Sequence, residues 1–236
     1  MWMLLPDAES LAPVCGNKYA IGMTDESNSH SYFDQSAAHW DAEPRRVVLA
    51  QAVGEAILRA AQPTEQMDVL DYGCGTGLLG LFLLSCVRTV TGADSSTGML
   101  EVLGRKIAAE HLDRMTTMHL DLQHDPLPAE RFDLIVTSMT MHHVADLERV
   151  LRAFHDLLRP EGILCLADLD SEPGVFHGPE AAGTVHHFGF ERTELRQRLE
   201  QIGFKRFQDV TAHVISRPIS TGEEREFPVF LLTART

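Results

Sequence analysis

Val69-Leu70-Asp71-Tyr72-Gly73-Cys74-Gly75-Thr76-Gly77 joins a short apolar run to three glycines at alternate positions, and the apolar segment Leu78 to Cys86 follows directly. A buried strand that runs through glycines into a helix lets backbone N–H groups approach a ligand closely at the helix N-terminus. In open parallel sheets such ligands sit at the carboxyl ends of the strands, beside the point where strand order reverses. This stretch predicts an α/β fold with a ligand over the glycine loop.

Outward from the loop, strand-like and helix-like segments alternate. Met67 to Asp71 is a first strand, Arg88 to Ala93 a second, Met115 to Leu120 a third, Phe132 to Val136 a fourth and Ile163 to Ala167 a fifth. Between them, Ser95 to Glu110 reads as a helix opened by Asp94 or Ser95. Asp146 is placed to cap a helix whose Leu147, Val150, Leu151, Phe154 and Leu157-Leu158 recur at helical spacing. Near-continuous apolar strands in β-α repetition specify a parallel sheet covered on both faces. Further on, a helix from Glu191 to Gln201 ends at Gly203. Strands at 204–215 and 226–234 are joined by too short a connection for a crossover helix, so they pair antiparallel.

Two segments stand apart from this repetition. Residues 1–44, rich in Ser, Asp, Asn, Gly and Pro without a sustained period, read as an irregular N-terminal arm or cap to a domain spanning 45–236. Tyr32, Phe33 and Trp40 give the arm aromatic surface for docking. From Glu43-Pro44, a helical face of Val47, Val48, Ala50, Val53, Ile57 and Ala60 begins, and it stops at Pro63. Residues 169–190, containing Gly, Pro and His, read as a polar insertion over the site, too polar to be core.

Composition narrows the function classes. The 236 residues are 44% hydrophobic and 23% charged, which excludes bulk disorder. A net charge of -14, with no basic run longer than Arg45-Arg46, disfavours nucleic acid and favours a small-molecule partner. No apolar run approaches the roughly 18 residues that span a bilayer, so no membrane partner is expected. Met1-Trp2-Met3-Leu4-Leu5 lacks basic residues and is cut short by Pro6-Asp7, unlike a signal peptide. Cys15, Cys74, Cys86 and Cys165 form no C-x-x-C pair, and Cys86 and Cys165 lie in apolar runs, as in a reduced cytoplasmic protein.

The loop alone is ambiguous, because Gly75-Thr76-Gly77-Leu78-Leu79-Gly80 is also a literal G-x-G-x-x-G. Charge separates the readings. Asp71 would set a carboxylate near a dinucleotide's doubly negative pyrophosphate, whereas S-adenosylmethionine brings an ammonium and a sulfonium. Asp94, at the end of the second strand, can accept both hydroxyls of a ribose. Asp121, after the third, can take an adenine amine while Leu122 packs the ring. The plainer alternatives are that Asp94 caps a helix and Asp121 starts a turn.

The strings VLDYGCGTG (69–77), GADSSTGML (92–100), the Asp121 turn, FDLIVTSMTMHHV (132–144) and LLRPEGIL (157–164) resemble successive motifs of class I S-adenosylmethionine-dependent methyltransferases, over residues 43–168. DLDSEPGVFHG (168–178) and HHFGFERTELRQRLEQIGF (186–204) are similar to small-molecule methyltransferases related to the quinone-biosynthesis type. The resemblance implies a Rossmann-like doubly wound sheet of seven strands, order 3-2-1-4-5-7-6, with strand 7 antiparallel. It implies S-adenosylmethionine held by Asp71, Gly73, Cys74, Gly75, Gly77, Asp94, Ser95, Met99, Asp121, Leu122, Ser138, Met139 and His143. Glu161 departs from the glycine more usual there, with a turn-geometry effect expected.

Methyl transfer is an in-line displacement that chiefly needs alignment of nucleophile and methyl. Where an acceptor hydroxyl or thiol must lose a proton, His142 or His143 is the candidate base, although either also suits backbone hydrogen bonding. His177, His186 and His187 lie in the segment that would roof the pocket, with a structural role as the default. No H-x-x-x-H or mixed Cys/His spacing occurs, so no metal is expected. Arg45 or Arg46 is placed for the cofactor carboxylate, and Met139 and Met141 for an apolar acceptor pocket or core filling. The expected activity is methyl transfer to O, N, S or an activated carbon. The alternatives are an NAD(P)-dependent oxidoreductase using the overlapping fingerprint and a non-catalytic methyltransferase-like scaffold.

Overall fold

Residues 26–236 are described by a computed structural model. Cys15, the Met1 to Leu5 stretch and the earlier part of the arm lie outside the described residues. The strands are β1 (Asp68–Tyr72), β2 (Thr89–Asp94), β3 (Met115–His119), β4 (Phe132–Ser138), β5 (Leu158–Leu169), β6 (Lys205–Pro218) and β7 (Glu224–Arg235). They form one seven-stranded sheet in the order β3-β2-β1-β4-β5-β7-β6. β7 runs antiparallel to both β5 and β6, and the remaining pairs are parallel. The chain leaves β1 outward to β2 and β3, then returns to β4, so a switch point opens between β1 and β4 at their carboxyl ends.

Among the described residues, six α-helices flank the sheet: α1 (Glu26–Ser36), α2 (Pro44–Ala61), α3 (Leu78–Leu83), α4 (Thr97–Glu110), α5 (Leu147–Leu157) and α6 (Arg192–Ile202). Two cores follow from the period of two along each strand. Leu70, Tyr72, Ile135 and Leu164 pack with Leu151, Phe154 and Leu199 of α5 and α6. Val69, Leu134, Val136 and Cys165 pack with Ile57, Leu83 and Leu103 of α2, α3 and α4. The same alternation turns Tyr72 toward Phe154, at 5.2 Å between ring centroids, and Asp71 toward α3.

Helix ends follow local chemistry. Pro44 sits in the first turn of α2, where its missing N–H costs nothing, and the helix ends with Gln62 in the left-handed region ahead of Pro63. Asp146 caps α5 as expected, accepting from Arg149 N at 3.0 Å. α4 is capped by Ser96, not by Asp94 or Ser95: the Ser96 hydroxyl accepts from Met99 N at 3.1 Å. Cys86 falls in a 3-10 turn, Leu84–Cys86, that tightens the end of α3.

Three expectations are corrected. The later part of the arm is not irregular, because α1 and a 3-10 segment, Ala37–Ala42, are ordered by contacts to α4. Residues 169–190 are not wholly outside the core: Phe176, Ala181, Thr184, Val185 and Phe190 are buried. Val48, on the expected apolar face of α2, is exposed.

Glu161 has a φ of 63°, the left-handed conformation that glycine adopts without strain. Its carboxylate accepts from Arg206 at 2.9 Å in an exposed pair. The left-handed cost of ~1–2 kcal/mol outweighs a surface ion pair of ~0–1 and glycine's extra unfolded-state entropy of ~0.4–1 on average. Glu161→Gly is therefore expected to stabilise the fold slightly, by up to ~1 kcal/mol, and so to raise the denaturation midpoint. A lowered midpoint would show that the Arg206 pair dominates.

Candidate active site

A cavity of about 200 Å³ opens over the carboxyl ends of β1, β2 and β4. Its floor is the glycine loop. Gly73, Gly75 and Gly77 have φ of 68°, 53° and 84°. A Cβ on Gly73 would lie 2.2 Å from Thr140 and one on Gly77 2.4 Å from Leu103, so both are glycines for packing as well as for φ. A Cβ on Gly75 would meet nothing closer than 3.8 Å. That position instead gives backbone-close room on the cavity side.

Asp94 holds this loop in place. Its Oδ2 accepts from Gly75 N and its Oδ1 from Ser96 N, both at 2.8 Å. Gly73 N and Cys74 N both donate to the Ala93 carbonyl, at 2.8 and 3.0 Å, which stitches the loop to β2.

Asp71 is buried at the end of β1, with Oδ2 accepting from Gly80 N at 2.9 Å. Burial pushes its carboxyl up to about 7; the Gly80 hydrogen bond opposes the shift and the nearby Asp94 charge adds to it. A cation entering the cavity beside this group would restore its ionised form. Burial first, then Asp94 and Asp71, hold the Cys74 thiol well above its usual range, so it stays protonated.

Eleven of the thirteen residues expected at the cofactor line this cavity: Asp71, Gly73, Cys74, Gly75, Asp94, Ser95, Met99, Asp121, Ser138, Met139 and His143. Gly77 and Leu122 are not among them. Gly77 is spent on capping α3, and Leu122 is in the α5 core with its N–H donating to the Tyr72 hydroxyl at 3.2 Å. Leu120 lines the wall in its place. Asp121 also starts the turn, accepting from Gln123 N and pairing with His124 Nδ1, both at 2.9 Å.

Sequence reasoning missed how the arm is fastened. Asp34 accepts from the Ser96 hydroxyl at 2.6 Å and from Gly98 N at 2.8 Å. Asp41 accepts from the Thr76 hydroxyl and pairs with Lys106, both at 2.5 Å. These contacts set Phe33 and Trp40 against the cavity, with the Arg46 guanidinium stacked 3.5 Å over the Trp40 ring. Arg46 lines the same cavity, whereas Arg45 is outside its lining and pairs with Glu43 at 3.0 Å on the exposed surface. No local pattern marks Asp34 or Asp41, because their partners lie on distant segments.

A second cavity of about 320 Å³ shares Phe33, Trp40, Arg46, Leu49, Met139 and His143 with the first. Tyr32, Phe176, His177 and Arg217 complete much of its wall. Met141, considered for an acceptor wall, is instead fully buried in the core.

The two adjacent histidines take different places on the 3-10 turn Met141–His143. His143 faces both cavities, and its Nδ1 donates to the Thr184 carbonyl at 2.8 Å, leaving the lone pair on Nε2. Burial, followed by the neighbouring His142, holds its pKa well below the usual range, so it is neutral. His142 is outside both linings; it is 1% exposed and its Nδ1 meets Asp168 Oδ1 at 2.6 Å. His177 borders the second cavity, with burial pulling its pKa down to about 3. His186 lines the first, while His187 bonds the Val144 carbonyl at 2.9 Å. Among the described residues no helix is long and apolar enough to cross a membrane.

Residues 69–162 match the family described as a methyltransferase domain. An uncharacterized methyltransferase of Schizosaccharomyces pombe is 34% identical over 137 residues, covering 52% of this chain and 48% of its own. A ubiquinone biosynthesis O-methyltransferase of Dinoroseobacter shibae is 33% identical over 124 residues, covering 50% and 48%. The chain thus spans about half the length of these curated relatives. Among solved structures, a DhpI complex with SAH superposes with a TM-score of 0.67 at 22% identity, over 89% of this chain and 95% of that one, a likeness of fold. The matched domain, the strand order and the glycine loop at the switch point are features that the chain shares with class I S-adenosylmethionine-dependent methyltransferases.

Proposed function

We propose that the protein transfers a methyl group from S-adenosylmethionine to a small-molecule acceptor. The observation that carries this reading is the set of three acids, Asp71, Asp94 and Asp121, lining one cavity at successive strand ends around the open side of Gly75. In this reading Asp94 takes the ribose hydroxyls, Asp71 the ammonium, and Asp121 with Leu120 the adenine. Arg46 is placed for the carboxylate. The bound donor supplies a methyl group activated on a sulfonium.

The chain's own task is then alignment and exclusion of water. Phe33, Trp40 and Met139 line both cavities, so the arm supplies aromatic walls to the site. The second cavity, with Tyr32, Phe176, Arg46 and Arg217 in its wall, suits an acceptor that combines an apolar body with an anionic group. His143, neutral and with its Nε2 lone pair free of the Thr184 bond, is the group placed to accept a proton from an acceptor hydroxyl. The net charge of -14 favours such a small acceptor over a nucleic acid.

The Asp71 assignment has a pH signature. With a carboxyl at about 7 in the free protein, pairing to the ammonium lowers that value on binding. The complex then holds fewer protons than the free protein, so affinity rises with pH up to about 7 and levels off above it. Calorimetric titration with S-adenosylhomocysteine from acid to neutral pH should show this rise, by up to about tenfold per pH unit. Asp71→Asn should flatten it. Equal affinity across that range in the wild type would remove Asp71 as the partner of the ammonium.

A further inference from the structure

His142 and His143 share the 3-10 turn after β4, and His177 returns to them from the segment between β5 and α6. One ligand atom from each lies within 4.8 Å of the others. Their ring centroids are 4.1 Å apart for His142–His143, 5.0 Å for His142–His177 and 5.3 Å for His143–His177. Three imidazoles on one tetrahedral ion, with metal–nitrogen bonds of ~2.0–2.1 Å, have donor nitrogens roughly 3.4 Å and ring centroids roughly 5 Å apart. The observed triangle is therefore close to a ligating one.

The hydrogen bonds behind the rings point the same way. His143 Nδ1 meets the Thr184 carbonyl, an acceptor only, and the Thr184 hydroxyl 3.1 Å away donates to the Ala181 carbonyl, so Nδ1 is the donor. Asp168 already accepts from the backbone N–H groups of His142 and Leu169, and His142 Nδ1 meets it as a third donor. Both rings thus carry their lone pairs on Nε2. His142 Nε2 and His177 Nε2 are buried with no hydrogen-bond partner. A buried polar atom without a partner is costly, and two of them on neighbouring rings, 5.0 Å apart between centroids, call for a shared occupant.

We propose that His142, His143 and His177 form a three-histidine site for a first-row transition metal ion, zinc by preference, with its fourth position open toward the second cavity. Three imidazoles without thiolate or hard-oxygen ligands suit this class of ion rather than magnesium or calcium. Asp168 and the Thr184 carbonyl supply the outer shell that fixes ring orientation in such sites. No local spacing reveals the site, because its third ligand comes from a distant segment. If the methyl-transfer reading also holds, the ion, which would occupy the His143 Nε2 lone pair, would replace His143 as the activating group: an acceptor hydroxyl or thiol would bind the ion as its anion, its proton passing to solvent, before attacking the methyl carbon as the carbon–sulfur bond pair returns to sulfur. Metal binding itself does not depend on that reading.

The test is titration of the metal-stripped full chain with cobalt(II), followed by competition with zinc(II). Expected are one equivalent of cobalt, the intense visible bands of a four-coordinate ion, and their loss on adding zinc. His177→Ala, in the segment outside the central sheet, should weaken binding by about 100-fold or more, and Asp168→Asn by about 10-fold. A cooperative thermal transition in each variant shows that it is folded. Absence of four-coordinate bands in the wild type, or cobalt affinity unchanged in folded His177→Ala, would overturn the proposal. Parallel titration with S-adenosylhomocysteine separates the two readings, since cobalt binding without nucleoside binding would sustain the metal site and remove the methyl donor.

Discussion

Replacing Asp94 by alanine is expected to weaken S-adenosylhomocysteine binding by at least about 100-fold. Two contributions add. The ribose loses its charged acceptor, and hydrogen bonds to charged groups contribute ~1.5–3 kcal/mol each, so a pair corresponds to two or more decades of affinity. The loop also loses its brace, because the same carboxylate accepts from Gly75 N and Ser96 N. Asp94→Asn retains one oxygen and should fall between wild type and alanine. Calorimetry reads the change, and binding of Asp94→Ala within a few fold of wild type would place the ribose elsewhere.

The largest expected stability effect is at Asp168. It is fully buried and accepts three hydrogen bonds: from His142 Nδ1 at 2.6 Å, His142 N at 3.3 Å and Leu169 N at 2.7 Å. Alanine leaves three donors without a partner, at ~1–3 kcal/mol each when unrelaxed. Asp168→Ala should therefore lose ~3–5 kcal/mol, a large share of the stability of a typical domain. Asp168→Asn keeps one acceptor oxygen and should lose less. Denaturant unfolding decides between them; a loss below ~1 kcal/mol for alanine would mean that water reaches these donors.

The strands and their acids were legible because each rests on a local rule. Apolar runs bounded by turns mark buried strands, and an acid that ends such a run must sit at the sheet's carboxyl edge. Asp71, Asp94 and Asp121 do so, and all line the cavity. The rest depended on contacts between distant segments. The sequence of α1, ESNSHSYFDQS, has too few apolar residues to announce a helix. It is ordered through Asp34, which binds Ser96 and Gly98. Leu122 and Leu120 are alike in type, and only the turn after β3 decides that Leu120 faces the cavity while Leu122 faces Tyr72 and α5.

The histidines show the same limit at closer range. Adjacent His142 and His143 are equivalent in sequence, yet one is clamped by Asp168 behind the site and the other opens on both cavities. Neither Asp168 nor Thr184 can be paired with them by spacing. His177 joins them only because the segment carrying it folds back over β4 and is pinned there by His186 N and His187 N donating to the His142 carbonyl, at 2.9 and 3.1 Å.

The cavity at the switch point is tested most directly by calorimetric titration of the full chain with S-adenosylmethionine, run beside NADH. One saturating site per chain in the micromolar range is expected for S-adenosylmethionine, with no heat of binding and no fluorescence enhancement for NADH. No S-adenosylmethionine binding below the millimolar range, or saturable NADH binding in its place, would contradict the assignment of Asp71, Asp94 and the glycine loop to a cationic adenosyl donor.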